Sequence, residues 1–301
     1  MSNCAVLTSR QRTALLAAAF GLAVSCGGEN RLPMFRPTPL PETAVLVGAG
    51  DIAECGPGTG AEATARLLDR IEGIVFTAGD NAYPTGSAAD FRRCYEPTWG
   101  RHKQRTRPSP GNHDYEVPGA ADYFAYFGSN AGPDGLGYYS FRAGHWTVFS
   151  LNSNVAVSSA SPQVQWLRTE LAADASPCTA AYFHHSPFSS GEHGDHAFMR
   201  DIWRELQAGG VDVVIAAHDH TYERFAPMDG DGRSDVARGS RLFIVGTGGA
   251  RLAPPTRVAP NSELRTTQHG VLRLTLRSAT YQWEFLDTAG ATVDSGVDVC
   301  R

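Results

Sequence analysis

The chain has 301 residues, 42% of them hydrophobic and 19% charged, with a formal net charge of −5. That composition belongs to a globular chain with core enough for a multilayer fold and excludes a disordered one. All but one of the basic residues are arginines, and they form no stripe or run, which argues against nucleic acid as an obligatory partner.

At the N-terminus, Arg10 and Arg12 precede an apolar stretch from Ala14 to Ser25. It is too short for a bilayer, which needs about 20 residues, and a charged start before a short apolar core is a signal-peptide pattern. The stretch ends Leu22-Ala23-Val24-Ser25-Cys26-Gly27-Gly28, which resembles a bacterial lipoprotein cleavage box. Residues 1–26 are therefore expected to be a signal peptide with Cys26 lipidated. The chain would be exported, to the cell envelope or beyond, and would meet a membrane only through that anchor. Residues 27–42 carry four prolines and no apolar period, and read as a tether.

From Thr43 to Arg301 the pattern reads as one catalytic domain. "TAVLVGAG" and "GIVFTAG" are short apolar runs ending in glycine, expected as buried strands. Between them, Ala63, Leu67, Leu68 and Ile71 have helical spacing. Residues 88–95 and 119–127 look helical, and "TRPSPGNHD" carries a short strand into a loop. "GYYSFRAGHWTVFSLNSN" reads as a strand pair turning at Ala143-Gly144. Ser161-Pro162 is a cap and first-turn pair opening a helix. "CTAAYFHHSP", the helix "DHAFMRDIWRELQAGG" and the strand "VDVVIAAHDH" follow. Strands then dominate: "RLFIVGTGG", "GVLRLTLRS", "TYQWEFLDTAG" and "ATVDSGVDV". This order predicts an α/β fold of two packed mixed sheets with helices outside them.

Five separated strand ends carry metal-ligand residue types: Asp51; Asp80 with Tyr83; Asn112, His113 and Asp114; His184 and His185; and His218 and His220. Ligands of α/β sheets gather beyond the carboxyl ends of strands, so all five groups can meet in one cleft. Competing readings fail on detail. Gly48, Gly50 and Gly56 do not make the dinucleotide fingerprint, no H-E-x-x-H occurs, and no G-x-S-x-G elbow surrounds a serine.

As an ordered set, these blocks resemble the signature of the calcineurin-like metallophosphoesterases, and within them the purple acid phosphatase type. The blocks are Gly-Asp, Gly-Asp-x-x-Tyr, Gly-Asn-His-Asp, a His before Pro187, and His-x-His. Ala217 stands where the family has Gly, and Ala53 where many members have a ligand His. The purple acid phosphatases also lack that His and use a Tyr at the spacing of Tyr83. The resemblance implies a four-layer α/β/β/α sandwich and two metal ions. Asp51, Tyr83 and His220 would hold the first, Asn112, His185 and His218 the second, and Asp80 would bridge them. A carboxylate bridge offsets the repulsion of cations about 3.5–4 Å apart. The phenolate implies Fe(III) in the first position, with Zn, Mn or Fe(II) in the second. His185 is chosen because it stands two residues before Pro187, and strand alternation is expected to turn His184 to the opposite face.

The implied chemistry is hydrolysis of phosphate esters, most of all phosphomonoesters, by a metal-bound hydroxide. The substrate would be a small phosphate ester. A phosphodiesterase or nucleotidase on the same ligands, a non-catalytic protein keeping metals for folding, and a serine hydrolase are the alternatives. His113 is expected to bind the phosphoryl group and assist the leaving oxygen, with Asp114 fixing its tautomer. His193, in "SSGEHGDH", resembles a further substrate-facing histidine of the family, and His196 is a weaker case of the same kind. Cys55, Cys94, Cys178 and Cys300 remain after the signal, an even number in an oxidising compartment. Of three pairings, Cys55–Cys94 with Cys178–Cys300 is favoured, because Cys55 and Cys94 each follow closely on a site loop.

Overall fold

The computed structural model describes residues 41–56, 59–133 and 135–301. The expected signal peptide, Cys26 and most of the 27–42 tether lie outside the described residues.

The first sheet begins with β1 (Thr43–Ala49), which pairs parallel with β2 (Ile74–Ala78) through the crossover helix α1 (Ala61–Leu68). β3 (Thr106–Ser109) continues the parallel series. The 88–95 helix divides into α2 (Ala88–Asp90), capped by Ser87, and a π-turn over Phe91–Tyr95. After α3 (Ala121–Phe127), the hairpin β4 (Tyr139–Ala143) and β5 (Trp146–Ser150) opens the second sheet. Then come α4 (Pro162–Ala173), capped by Ser161; β6 (Cys178–His185); α5 (Arg200–Ala208); and β7 (Val213–Ala217). β8 (Tyr222–Phe225), β9 (Arg241–Val245) and β10 (Ser262–Thr266) complete it. The chain then returns to the first sheet as an antiparallel meander, β11 (Gly270–Arg277), β12 (Thr280–Asp287) and β13 (Thr292–Val299).

Among the described residues the strand orders are β13-β12-β11-β1-β2-β3 and β10-β8-β9-β7-β6-β5-β4. The architecture is the expected α/β sandwich of two mixed sheets flanked by helices. β8 and β10 were not expected as strands. Both are short and carry charges, and β10 lies half-exposed at a sheet edge, where the period-2 signal is weakest.

Side-chain parity separates two cores. Ala180, Tyr182, Val213 and Ile215 pack between the sheets with Leu46, Phe76 and Leu272. Their neighbours Ala181, Phe183, Val214 and Ala216 face the other way, against Val164, Ile202 and Trp203 of α4 and α5. The disulfides are Cys55–Cys94 and Cys178–Cys300, the favoured pairing. Cys178 opens β6 and Cys300 follows β13, so that bond ties one sheet to the other.

Candidate metal centre

The centre forms where β1, β2, β3, β6 and β7 end, and the ends are locked side by side. The amides of Asp51, Ile52 and Ala53 donate to the carbonyls of Gly79, Asp80 and Asn81, at 3.1, 2.9 and 3.1 Å. The Tyr83 amide donates back to the Ala53 carbonyl at 2.9 Å. This zipper brings the Asp51 loop against the Asp80–Tyr83 loop. Asp51, Asp80 and His218 all have positive φ, at 56°, 50° and 72°. Non-glycine residues there cost conformational energy and cluster at functional sites. Two glycines leave room for close approach. A Cβ on Gly111 would lie 2.1 Å from Asp80 Oδ1, and one on Gly79 would lie 2.5 Å from His184 Nδ1.

Two sets of donor atoms converge on one carboxylate. In the first, the Tyr83 hydroxyl lies 2.8 Å from Asp51 Oδ1, 3.1 Å from Asp80 Oδ2 and 3.3 Å from His220 Nε2. His220 Nε2 is itself 3.3 Å from Asp51 Oδ1. In the second, His184 Nε2 lies 3.2 Å from Asp80 Oδ2, 3.0 Å from Asn112 Oδ1 and 3.1 Å from His218 Nδ1. Donors about 2.1 Å from a shared cation and roughly at right angles stand about 3 Å apart. Both sets fit that spacing, and their oxygen and imidazole chemistry suits Fe, Zn or Mn. The Asp80 carboxylate belongs to both sets.

Two expectations need correction. His184 does not turn away. It has the parity of Ala180 and Tyr182, which face between the sheets, and that face holds the centre. The β6–β7 register shifts between Tyr182 and His185, as at a β-bulge, and His185 stays nearby. Its ring centroid is 4.5 Å from that of His218, and its Nδ1 is 2.8 Å from Ser153 Oγ. His184, His185 and His218 each bring a nitrogen within 4.8 Å of the others. Nor does Asp114 touch the His113 ring. The Pro84 carbonyl lies 2.5 Å from His113 Nδ1 and sets the ring, while the His113 amide donates to Asp80 Oδ1 at 2.8 Å.

Asp114 is buried and accepts from the amides of Asn81 and Gly111 and from Asn81 Nδ2, at 2.9 Å in the last two cases. It pins the Asp80 loop to the Asn112 loop. Asp114→Ala would leave those buried donors without an acceptor, at a cost of about 2–4 kcal/mol. Denaturant unfolding measures this, and a variant as stable as wild type would contradict the pinning role.

His193 stands at the second donor set, its ring centroid 4.3 Å from that of His218. Its position depends on a residue the motif reading passed over. Buried Asp219, between the two histidines of the fifth block, accepts from the Ser189 hydroxyl and, at 2.9 Å, from the His193 amide. An acid between two metal-ligand types was the signal available in sequence.

Electrostatics follow the same grouping. Burial and the carboxylates of Asp51 and Asp80 push the Tyr83 phenol well above its ordinary value. Burial alone would lower His184 and His220, but Asp80 and Asp51, with a backbone carbonyl at each ring, together outweigh it and raise each to about 9. Burial opposes ionisation of Asp51 as well, yet the cationic His220 carries it far below its ordinary value. Burial and neighbouring His184 push His185 and His218 down. Burial and the Asp80 charge lift Asp114 to about 7. A folded-state pKa raised from 6.5 to about 9 gives stability fully present below 6.5 and lost as pH climbs through 9. Asp114, raised from 3.8, loses its share by about 7, in the same direction. The metal-free protein should therefore melt at progressively lower temperature from pH 6.5 to 9. Thermal scans in chelator check this, and a melting temperature rising across that interval would contradict it.

A two-sheet sandwich with paired donor sets at its strand ends is the architecture of a metallophosphoesterase. The family described as "Calcineurin-like phosphoesterase" matches residues 45–222, and the chain belongs to that family. It is similar to purple acid phosphatase 18 of Arabidopsis thaliana, 28% identical over 250 residues covering 75% of this chain and 54% of that protein. Purple acid phosphatase 21 of the same plant is also 28% identical, over 280 residues covering 83% and 61%. The chain thus spans less than two thirds of the length of these relatives. The structure of a purple acid phosphatase from yellow lupin (Lupinus luteus) seeds superposes with a TM-score of 0.71 at 20% identity, covering 87% of this chain and 55% of that one. At that identity the likeness is one of fold.

Proposed function

We propose that this protein hydrolyses phosphate esters, phosphomonoesters above all, at a two-metal centre. The carrying observation is that two donor sets share the Asp80 carboxylate. Asp51, Tyr83 and His220 would hold the first ion; Asn112, His184 and His218 the second; Asp80 both. The phenol of Tyr83 favours Fe(III) in the first position, with Zn, Mn or Fe(II) in the second. Two cations held there would supply Lewis-acid chemistry for the phosphoryl group and for the attacking water. Asp80 holds the two halves in register. His113, its Nδ1 facing the Pro84 carbonyl, presents Nε2 to the leaving oxygen. His193 lies across the centre, where it meets the phosphoryl group.

The substrate is a small phosphate ester. The two disulfides support export, to the cell envelope or the extracellular space, with the lipid anchor at Cys26 as the membrane link. Metal analysis with a visible spectrum and a panel of phosphomonoesters, phosphodiesters and nucleotides tests the reading. Two ions per chain, a broad tyrosinate–Fe(III) absorption lost in Tyr83→Phe, and monoester turnover are expected. Turnover confined to diesters or nucleotides would replace the substrate class. A chain that turns over with no bound metal would sink the reading.

A further inference from the structure

We propose that Glu54 is a positioning residue for the first donor set, fastening the segment 248–253 that links His220 to Asp51. The proposal rests on the two-metal reading above.

Asp51 and His220 come from different sheets. Asp51 follows β1 of the first, and His220 lies between β7 and β8 of the second. One ion can use both only if the ends of the two sheets are held in register. The segment after β9 does this, because it is bonded on both sides. On the Asp51 side, the amides of Gly248 and Ala250 donate to the carbonyls of Gly50 and Asp51, at 2.9 and 2.8 Å. On the His220 side, the Ala253 amide donates to the His220 carbonyl at 3.0 Å, and the Arg251 carbonyl lies 2.7 Å from His220 Nδ1. The other ring nitrogen, Nε2, is the one beside Asp51 Oδ1. The Arg251 carbonyl therefore sets the angle at which Nε2 joins the donor set.

Side chains grip this segment at three points. The Thr64 hydroxyl donates to the Gly248 carbonyl, and His269 Nε2 lies 2.9 Å from the Ala250 carbonyl. Glu54 grips the residue that faces the His220 ring: its Oε2 accepts the Arg251 amide at 2.9 Å. The amide and the carbonyl of Arg251 are thus both committed, one to Glu54 and one to His220. Glu54 stands three residues past Asp51, and its neighbour Cys55 is bonded to Cys94. The carboxylate thus sits on a stretch tied down at both ends. It touches no atom of either donor set among the described contacts. What it supplies is an acceptor in the right place, not a charge at the centre. Loss of such outer support weakens metal binding by about 10–100-fold.

The full chain, stripped of metal, is titrated calorimetrically with Zn²⁺. His220→Ala marks which binding step belongs to the first set. Glu54→Ala should weaken that step about tenfold and leave the other unchanged. Glu54→Gln should restore it, because its amide oxygen still accepts the Arg251 amide without the charge. Wild-type Zn²⁺ affinity in Glu54→Ala would overturn the proposal. So would equal weakening of both steps, the mark of a residue that only supports the fold. A Glu54→Gln variant as weak as Glu54→Ala would overturn it too, since charge would then be the cause. Should Glu54→Ala fail to fold, Glu54→Leu keeps the bulk without the acceptor and decides in its place. Zn²⁺ binding is read without turnover. A chain that shows the Glu54 pattern but hydrolyses no ester therefore counts against the function above and not against this fastening, whereas a chain that takes up no Zn²⁺ overturns both.

Discussion

Replacing Asp80 with Ala should remove both metal ions and lower hydrolysis by about 10³-fold or more. The expectation follows from the double membership of one carboxylate. Its Oδ2 lies 3.1 Å from the Tyr83 hydroxyl and 3.2 Å from His184 Nε2. Without it, the first set keeps Asp51, Tyr83 and His220, and the second keeps only neutral donors, Asn112, His184 and His218. That leaves the second position one ligand short, and no charge remains between two cations to offset their repulsion. Asp80 also carries structure, since its Oδ1 accepts the His113 amide. Asp80→Asn separates the roles, because an amide oxygen still accepts that bond without supplying the charge. Metal counts near zero for Asp80→Ala, and at most one for Asp80→Asn, are expected. Full loading of either variant would sink the shared-bridge arrangement.

Most of this centre was legible because its residues follow short buried strands. Asp51, Asp80 and His218 each close an apolar run, and Asn112 and His220 stand within three residues of the ends of β3 and β7, so strand ends and donor types coincide in the sequence. The choice between His184 and His185 was not legible, for a specific reason. Every residue of β6 is buried, so no polar alternation marks which face is which. Counting back from Pro187 then selected the wrong parity for His184. The true parity appears only when Ala180 and Tyr182 are seen between the sheets. The left-handed backbone at Asp51, Asp80 and His218 is invisible for a related reason, since glycine is the residue that announces positive φ. Asp114 matched the expected type for a histidine partner, but that partner is a backbone carbonyl of Pro84, which no side-chain motif encodes.

The same carbonyl shapes the second large effect. His113→Ala should keep both metals and lower kcat by about 10²–10⁴-fold. His113 contributes no atom to either donor set; its Nε2 lies 3.9 Å from Asp80 Oδ2, and a third of its side chain is exposed toward the cleft. Its ring packs 4.5 Å from the Tyr83 ring, centroid to centroid, which holds it beside the first set without joining it. With Nδ1 committed to Pro84, only Nε2 can hand a proton to the departing oxygen. The loss should therefore depend on that oxygen's basicity. An alkyl phosphate, whose alkoxide needs a proton, should suffer the full loss. A nitrophenyl phosphate, whose phenolate leaves unaided, should suffer about tenfold or less. Equal losses across leaving groups would make His113 a binding group for the phosphoryl oxygens rather than an acid.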